Sequence, residues 1–173
     1  LADYAIDHFL DEGSGLFFFT DKIDPQLIAR KTEVSDNVIP SSNSSMAKGL
    51  FLLSKYFEDK NYEEISTQML KNIVPHFDTY LPSYTNWGIL LMQHSQPFYE
   101  VAICGTEAQQ RTLEIFDSFK PNKMILGSLA DNSNLPLLEL KYIEGQTTIY
   151  VCENKVCQLP VTESSKAINQ LKP

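Results

Sequence analysis

The segment Tyr99–Gln109, with the sequence YEVAICGTEAQ, decides the fold class because an apolar run passes directly into a polar helix start. A compact apolar run that ends at a glycine predicts a buried strand, and Thr106 with Gln109 has the spacing of a helix capping box. A second apolar run, Lys123–Gly127, predicts another strand. Strand, helix and strand in this order predict a βαβ unit.

Bulky apolar residues mark one side of the helix predicted between these strands. Leu113, Phe116 and Phe119 follow one another at helical spacing, so we expect them to form its buried face. The β-prone run Thr147–Cys152 and a closing helix over Ser164–Leu171 complete a small α/β unit.

The first 97 residues show helical periodicity. Apolar residues predict amphipathic helices over Leu1–Phe9, Met46–Phe57, Tyr62–Ile73 and Trp87–Leu91. Between the first two helices, the run Leu16–Thr20 and a later partner, Leu27–Arg30, predict a short hairpin or an extended excursion. We therefore expect an α+β protein with helical hairpins in residues 1–97 and a βαβ-containing subdomain in residues 98–173.

The composition indicates a globular, acidic protein. Of its 173 residues, 43% are hydrophobic, which is enough to bury a core in one domain or two small ones. With 22 acidic and 14 basic residues the net charge is −8, which repels phosphate backbones, so we expect no nucleic-acid partner. No stretch reaches the roughly 20 apolar residues of a membrane helix, and the start lacks a signal-peptide pattern, which predicts a cytoplasmic protein without a membrane partner. Because the chain begins at Leu1 rather than Met, we interpret it as a fragment.

The three cysteines, Cys104, Cys152 and Cys157, are too few for a disulfide-stapled secreted domain, so we expect reduced thiols. Cys152 and Cys157 lack both the C-x-x-C spacing and a second ligand pair, which predicts no metal site. A turn over Glu153–Val156 would let the two form a reversible disulfide. The alternative is a buried Cys152 beside an unpaired Cys157. Gly105 begins neither a dinucleotide-binding fingerprint nor a P-loop, and we expect no cofactor.

Five local patterns occur in one order along the chain. They are Gly15–Thr20, Asp36–Ser44, Tyr84–Trp87, Val101–Gly105, and Tyr150–Asn154 with Cys157 and Pro160. Together they resemble the C-terminal end of the spermatogenesis-associated protein 20 family, and the resemblance covers nearly the whole chain. The usual family form of the second pattern is Asp-x-x-x-Pro-Ser-Gly-Asn-Ser, and here Ser42 stands in place of the glycine.

The resemblance implies a thioredoxin-like domain followed by a six-hairpin (α/α) toroid similar to those of six-hairpin glycosidases and N-acylglucosamine 2-epimerases. This chain would hold the last hairpins of an incomplete toroid and the terminal α/β subdomain. Its partners would be the missing thioredoxin-like domain and toroid helices of the same polypeptide. Toroid helices without their neighbours predict exposed apolar surface and self-association.

Polar residues just before an inner helix of such a toroid face its cavity. Asp36 would then act as a general acid or base on a sugar-like substrate, while Asn43 and Ser44 bind its hydroxyls. The alternative is structural, with Asn43 or Ser44 capping the helix and Asp36 bonded to loop amides. Tyr84 and Trp87 share a helix face, and form either a stacking platform for a sugar ring or part of the core.

Three functions remain open at this point. The full-length protein is a carbohydrate-active enzyme of the epimerase or glycosidase kind, with this fragment inactive by itself. Alternatively, it is a thiol-redox protein that uses Cys152 and Cys157, or a non-catalytic structural or docking module. The scattered histidines His8, His76 and His94 do not predict a facing catalytic pair, so whether the protein is an enzyme stays open.

Overall fold

The structure is a computed structural model that describes residues 1–25, 29–131 and 134–171. Within these ranges the chain combines α-helices with two small sheets, which confirms the α+β class. It divides into two compact units, one over Leu1–Met92 and one from Gln93 onward. Among the described residues, no helix has both the length and the apolar composition to span a membrane.

The helical unit has helices at the four predicted places: α1 (Ala2–Phe9), α2 (Ser42–Phe57), α3 (Lys60–Ile73) and α4 (Thr85–Ser95). Helix α2 ends at Glu58, whose left-handed conformation at φ 55° stops the helix and leads directly into α3. The two helices pack together, with Leu50 and Met69 fully buried. The Ser66 hydroxyl joins them by donating to the Ala47 carbonyl at 2.8 Å.

A hairpin follows α1, but its pairing differs from the sequence prediction. Strands β1 (Leu10–Asp11) and β2 (Leu16–Phe17) are antiparallel, so the β-prone run has one partner that precedes it, and Phe18 also forms an antiparallel bridge with Thr32, just after the predicted partner. Gly15 in the connecting turn has φ 66°, a conformation that favours glycine. Leu27 and Ile28 of the predicted partner lie outside the described residues.

The second unit is built on a four-stranded sheet. Its elements are β3 (Tyr99–Cys104), α5 (Ala108–Phe116), β4 (Lys123–Ser128), β5 (Thr148–Glu153), β6 (Val156–Cys157) and α6 (Ser164–Gln170). The strand order is β4-β3-β5-β6, with β3 parallel to β4 and antiparallel to β5. The βαβ unit predicted from YEVAICGTEAQ is therefore present.

One face of this sheet forms the core of the unit with α5 and α6. Val101, Ile103, Ile115, Ile149 and Ala167 are fully buried there. On the other face, Pro136–Leu138 packs against β3 and β4. Because both faces are covered, all six residues of β3 are buried, which explains why all of them except Glu100 are apolar or aromatic.

The turn between β3 and α5 depends on glycine rather than on the predicted capping box. A Cβ on Gly105 would lie 2.6 Å from the Gln146 carbonyl oxygen, and its φ of 133° is one that other residues rarely adopt. Helix α5 begins at Ala108 without a side-chain cap. The Glu107 N–H donates instead to the Thr147 hydroxyl at 3.0 Å.

The predicted buried face of α5 is wrong. Leu113, Phe116 and Phe119 are 60%, 71% and 92% exposed, whereas Ala108 and Ile115 face the core. The helix carries two apolar stripes, and the one that includes a small residue packs on the sheet because Ala108 permits close approach. Periodicity alone does not distinguish the two stripes.

Strands β5 and β6 form a tight hairpin that brings two cysteines together. Asn154 and Lys155 have φ values of 48° and 67°, the pattern of a type I′ turn. Cys152 and Cys157 lie opposite each other, with Cα atoms 3.8 Å apart, and are joined by a disulfide. The expectation that all three cysteines are thiols is therefore not met, although Cys104 is free and buried.

Candidate functional site

Asp36 lies between the first residues of two helices and accepts hydrogen bonds from both. Its Oδ1 accepts from the Ser41 N–H at 3.0 Å and from the Ser44 hydroxyl at 2.7 Å, beside the start of α2. Its Oδ2 accepts from the Asn86 N–H at 2.8 Å, in the first turn of α4. A carboxylate is stabilised in this position because helix N-termini present unpaired amides and a positive dipole end.

These hydrogen bonds also set the protonation state of Asp36. Burial by itself would raise the pKa of this carboxyl group, since only 7% of the residue is exposed. The bonds from Ser41, Ser44 and Asn86 together outweigh burial and lower the pKa below its usual value. Asp36 is therefore ionised near neutral pH, whereas a general acid needs a raised pKa.

Asn43 is the most completely bonded of the predicted site residues. Its Oδ1 accepts from the Phe17 N–H at 2.7 Å, and its Nδ2 donates to the Phe17 and Glu33 carbonyls, both at 2.9 Å. The residue is fully buried, and its side-chain amide satisfies both the N–H and the carbonyl of Phe17, as the backbone of a neighbouring strand would. Its amide holds β2 and residue 33 against α2.

Three serines around Asn43 define the start of α2. Ser41 is the N-cap, since its hydroxyl accepts from the Ser44 N–H at 3.1 Å. The structural alternative predicted Asn43 or Ser44 as the N-cap, but the N-cap is Ser41, which precedes both. Ser44 is fully buried with its hydroxyl directed to Asp36. Ser42, where the resembled pattern has glycine, keeps an exposed side chain while its N–H donates to Glu33.

The two aromatic residues predicted to stack on a sugar are buried. Trp87 is fully buried, and its Nε1 donates to the Val34 carbonyl at 2.8 Å. Tyr84 is 9% exposed, and its ring stacks on Phe77 with centroids 5.6 Å apart. A stacking platform needs an accessible ring face, which Trp87 does not offer in this arrangement.

An open groove of about 540 Å³ lies in front of this cluster. It is lined by Thr32, Glu33, Val34, Ser35, Asp36, Asn37 and Ser83. Asp36 is thus brought to the groove, whereas Asn43, Ser44, Tyr84 and Trp87 are not among its walls. Ser35 and Asn37 are exposed and offer polar groups that a small molecule can reach.

Sequence reasoning missed a second polar cluster, around His8. Its Nδ1 lies 2.9 Å from the Asp21 carboxylate, which also accepts from the Tyr4 hydroxyl at 3.0 Å. The Tyr4 ring stacks on the imidazole with centroids 3.9 Å apart. Tyr4 and His8 show a helical spacing in the sequence, but nothing in the sequence indicates Asp21 as their partner. The cluster fixes the end of α1 to the segment after the hairpin.

The predicted redox residues, Cys152 and Cys157, belong to the second unit and are brought together on the β5–β6 hairpin. Within the described ranges, no group of three or more His, Cys, Asp or Glu side chains is arranged to hold a metal ion.

Comparison with known proteins gives distant similarity to one set of relatives. The chain is 25% identical to spermatogenesis-associated protein 20 of Homo sapiens over 94% of this chain and 22% of that protein. The protein of the same name in Mus musculus is 24% identical over 87% of this chain and 20% of that protein. The chain spans about a fifth of the length of these curated relatives. No protein-family model matches it.

Proposed function

We propose that this chain is a non-catalytic structural part of a longer protein similar to spermatogenesis-associated protein 20. Its buried polar cluster would stabilise the helical unit rather than act on a substrate. The observation that supports this role is the hydrogen bonding of Asp36 and Asn43, since both carboxylate oxygens and the whole amide are used within the protein.

The cluster suits a structural role because it fixes a segment without regular structure. The Val34 carbonyl accepts from the Ser41 hydroxyl at 3.1 Å and from the Trp87 indole. The Asp36 N–H donates to the Ser83 carbonyl at 2.7 Å. A hydrogen bond contributes about 1 kcal/mol net, and one to a charged group about 1.5–3 kcal/mol, so loss of these bonds would be large beside the roughly 5–15 kcal/mol by which a typical domain is stable.

The same proposal includes the larger architecture implied by the family resemblance. The unit Leu1–Met92 would contribute hairpins to a six-hairpin toroid, and the thioredoxin-like domain and remaining helices would be its partners. A cytoplasmic location, self-association through exposed apolar surface and the lack of a nucleic-acid partner remain predictions.

A second candidate function is binding of a sugar-like molecule by the longer protein, as an epimerase-like or glycosidase-like enzyme would do. The observation that favours it is the open polar groove in front of Asp36. Ser35 and Asn37, rather than Asn43 and Ser44, would then contact the ligand, since they are exposed polar residues on its walls, on either side of Asp36.

Two sets of variants separate the candidates. Ser35→Ala and Asn37→Ala alter the groove wall, whereas Asp36→Asn alters the buried cluster. Thermal unfolding and NMR titration with a panel of monosaccharides and disaccharides are measured for each. For a structural unit we expect a lower midpoint for Asp36→Asn only, and no saturable titration with the wild-type chain.

The opposite pattern favours the groove as a ligand site. Saturable sugar shifts that disappear in Ser35→Ala or Asn37→Ala, with the unfolding midpoint unchanged, would replace the structural proposal by the binding one. An Asp36→Asn variant as stable as the wild type would remove the main support for the structural role.

A further inference from the structure

We propose that the Cys152–Cys157 disulfide is a thiol-exchange site, which a dithiol reductant attacks at Cys157 and which Cys152 closes again. This inference concerns the second unit alone. It does not depend on the structural role proposed for the helical unit.

The hairpin backbone holds the two sulfur atoms together. The Gln158 N–H donates to the Val151 carbonyl at 2.9 Å, which makes 151 and 158 a hydrogen-bonded pair. Cys152 and Cys157 are consequently a non-hydrogen-bonded pair, the position at which opposing side chains are closest. The type I′ turn fixes this register, so the sulfurs stay close even when the bond between them is broken.

The two sulfurs differ in access to solvent. Cys152 is fully buried in the central part of the sheet, whereas Cys157 is exposed on the short outer strand β6. A thiolate must reach the sulfur that it attacks. Cys157 is therefore the sulfur open to an incoming nucleophile.

Solvent access favours attack at Cys157, but the stability of the departing thiolate favours attack at Cys152. These two effects must be compared. Cys152 lies opposite Glu100 in the register of β3 and β5, and a neighbouring carboxylate disfavours the Cys152 thiolate. This alone would favour attack at Cys152, because Cys157 would then be released. Access decides, since a fully buried sulfur cannot be approached without opening the sheet, which costs part of the unit's folding free energy.

The exchange proceeds in two steps that conserve atoms and electrons. A thiolate of the dithiol forms a bond with Cys157 Sγ, the bond from Cys157 Sγ to Cys152 Sγ breaks, and the electron pair goes to Cys152 Sγ, which takes up a proton. The second thiol of the reductant then attacks its own sulfur in the mixed disulfide and releases Cys157. The protein disulfide is reduced by two electrons, and the dithiol is oxidised to a disulfide.

The hairpin also favours the reverse reaction. Before the second thiol of the reductant reacts, the Cys152 thiolate lies beside the mixed disulfide, attacks Cys157 Sγ and displaces the reductant's sulfur as a thiolate. We therefore expect the mixed disulfide on Cys157 to be short-lived in the wild type and to accumulate when Cys152 is replaced.

A matched pair of variants of the whole chain tests the inference. Cys152→Ser and Cys157→Ser both lack the disulfide, so any loss of stability from its removal is common to them. Each is incubated with oxidised glutathione in native buffer, and adducts are located by mass spectrometry after trypsin cleavage at Lys155, which separates the two positions. We expect the adduct on Cys157 to form on the order of tenfold faster or more than that on Cys152. Cys104, which is 1% exposed, serves as the internal reference for a buried thiol.

The wild type supplies the second measurement. We expect dithiothreitol to open the disulfide in native buffer without denaturant, leaving Cys104 unmodified by a brief alkylation pulse. Equal adduct rates in the two variants would overturn the assignment of Cys157. A disulfide that opens only in urea, or three free thiols after equilibration with oxidised glutathione, would overturn the exchange site itself.

Discussion

The cluster around Asp36 and the hairpin at Cys152 differ in how completely their reactive atoms are used. Both were candidate sites from the sequence. In the helical unit, both oxygens of Asp36 and the whole amide of Asn43 are bonded within the protein. In the α/β unit, one sulfur of the pair is buried and the other is exposed.

The difference indicates which region is suited to chemistry. A side chain whose hydrogen-bonding capacity is filled holds structure together, and a substrate must break those bonds to reach it. An accessible atom next to a buried partner can react without unfolding. The family resemblance and the position of Asp36 before a helix suggested a catalytic role for it, whereas bonding and exposure favour reaction at Cys157.

The largest effect should come from removing the carboxylate of the helical unit. Asp36→Ala leaves the Ser41 and Asn86 N–H groups without this acceptor, and the Ser44 hydroxyl keeps only its bond to the Ser41 carbonyl. We expect a loss of about 3–5 kcal/mol in the free energy of unfolding, measured by urea denaturation. Ser35→Ala, on the exposed side of the same segment, is the control and should stay within about 0.5 kcal/mol of wild type. Equal effects of Asp36→Ala and Ser35→Ala would contradict the view that the bonded carboxylate of Asp36 stabilises the helical unit.

A somewhat smaller effect is expected for Asn43→Ala. The change leaves the N–H and carbonyl of Phe17, a buried residue, without their partner and removes one of the hydrogen bonds to the Glu33 carbonyl. We expect a destabilisation of about 2–3 kcal/mol by urea denaturation, with increased amide exchange at Phe17. Ser45→Ala, an exposed change on the same helix, is the matched control. Unchanged protection at Phe17 would show that the amide does not hold β2.

Loss of the disulfide should destabilise the α/β unit by about 2 kcal/mol, because the bond closes a short loop. The outer edge of β5 is covered by the segment after the turn, where Ile149 and Val161 exchange two backbone hydrogen bonds. We therefore expect Cys157→Ser to increase hydrogen exchange at Ile149 and to leave exchange at Phe17 unchanged. Faster exchange at Phe17 would show that the two units do not respond separately.

The contribution of Asp36 to the pH dependence of stability should be a smaller effect. Burial raises the pKa of this carboxyl group, but the hydrogen bonds from Ser41, Ser44 and Asn86 lower it by more than burial raises it. The pKa in the folded protein therefore lies below the usual value. The ionised group therefore stabilises the fold at pH values above the unfolded pKa of about 3.9, and this contribution is lost as pH falls through the folded pKa. We expect Asp36→Asn to show a flatter loss of urea stability between about pH 5 and pH 2 than wild type. Asp117→Asn, with an exposed carboxylate, should keep the wild-type slope.

The smallest effect should come from Phe119, which was predicted to belong to the buried face of α5 but lies after the last residue of that helix, Phe116. Phe119 is 92% exposed, so we expect Phe119→Ser to change the unfolding free energy by less than about 0.5 kcal/mol. Ile115→Ala, on the buried side of α5, should cost about 2–4 kcal/mol. Thermal unfolding of the two variants compares the sides directly. A large loss of stability in Phe119→Ser would support the buried face that periodicity predicted.

Much of the fold follows from local sequence patterns. The apolar run of β3 and the glycine that ends it give a strand and a turn, and Lys123–Gly127 gives the parallel partner. The helices of the first unit follow from apolar spacing with few interruptions. These features depend on neighbouring residues, so short-range rules identify them.

The candidate site could be predicted from the sequence only in part. The sequence indicated Asp36 and the cysteine pair as polar and reactive positions. It did not indicate that Asn43 pairs with Phe17, or that Asp21 is the partner of His8. These contacts join residues far apart in the chain, and no local pattern encodes which of many polar groups meet.

The sequence by itself determined the α+β class, the βαβ order and the closeness of Cys152 to Cys157, since each depends on residues within one strand, helix or turn. Only the tertiary structure decided which apolar residues of α5 are buried, which cysteine of the pair is exposed and which helix starts donate hydrogen bonds to Asp36. The physical reason is that burial and hydrogen-bond saturation depend on which distant elements pack together, and the same residue is reactive or structural according to that packing.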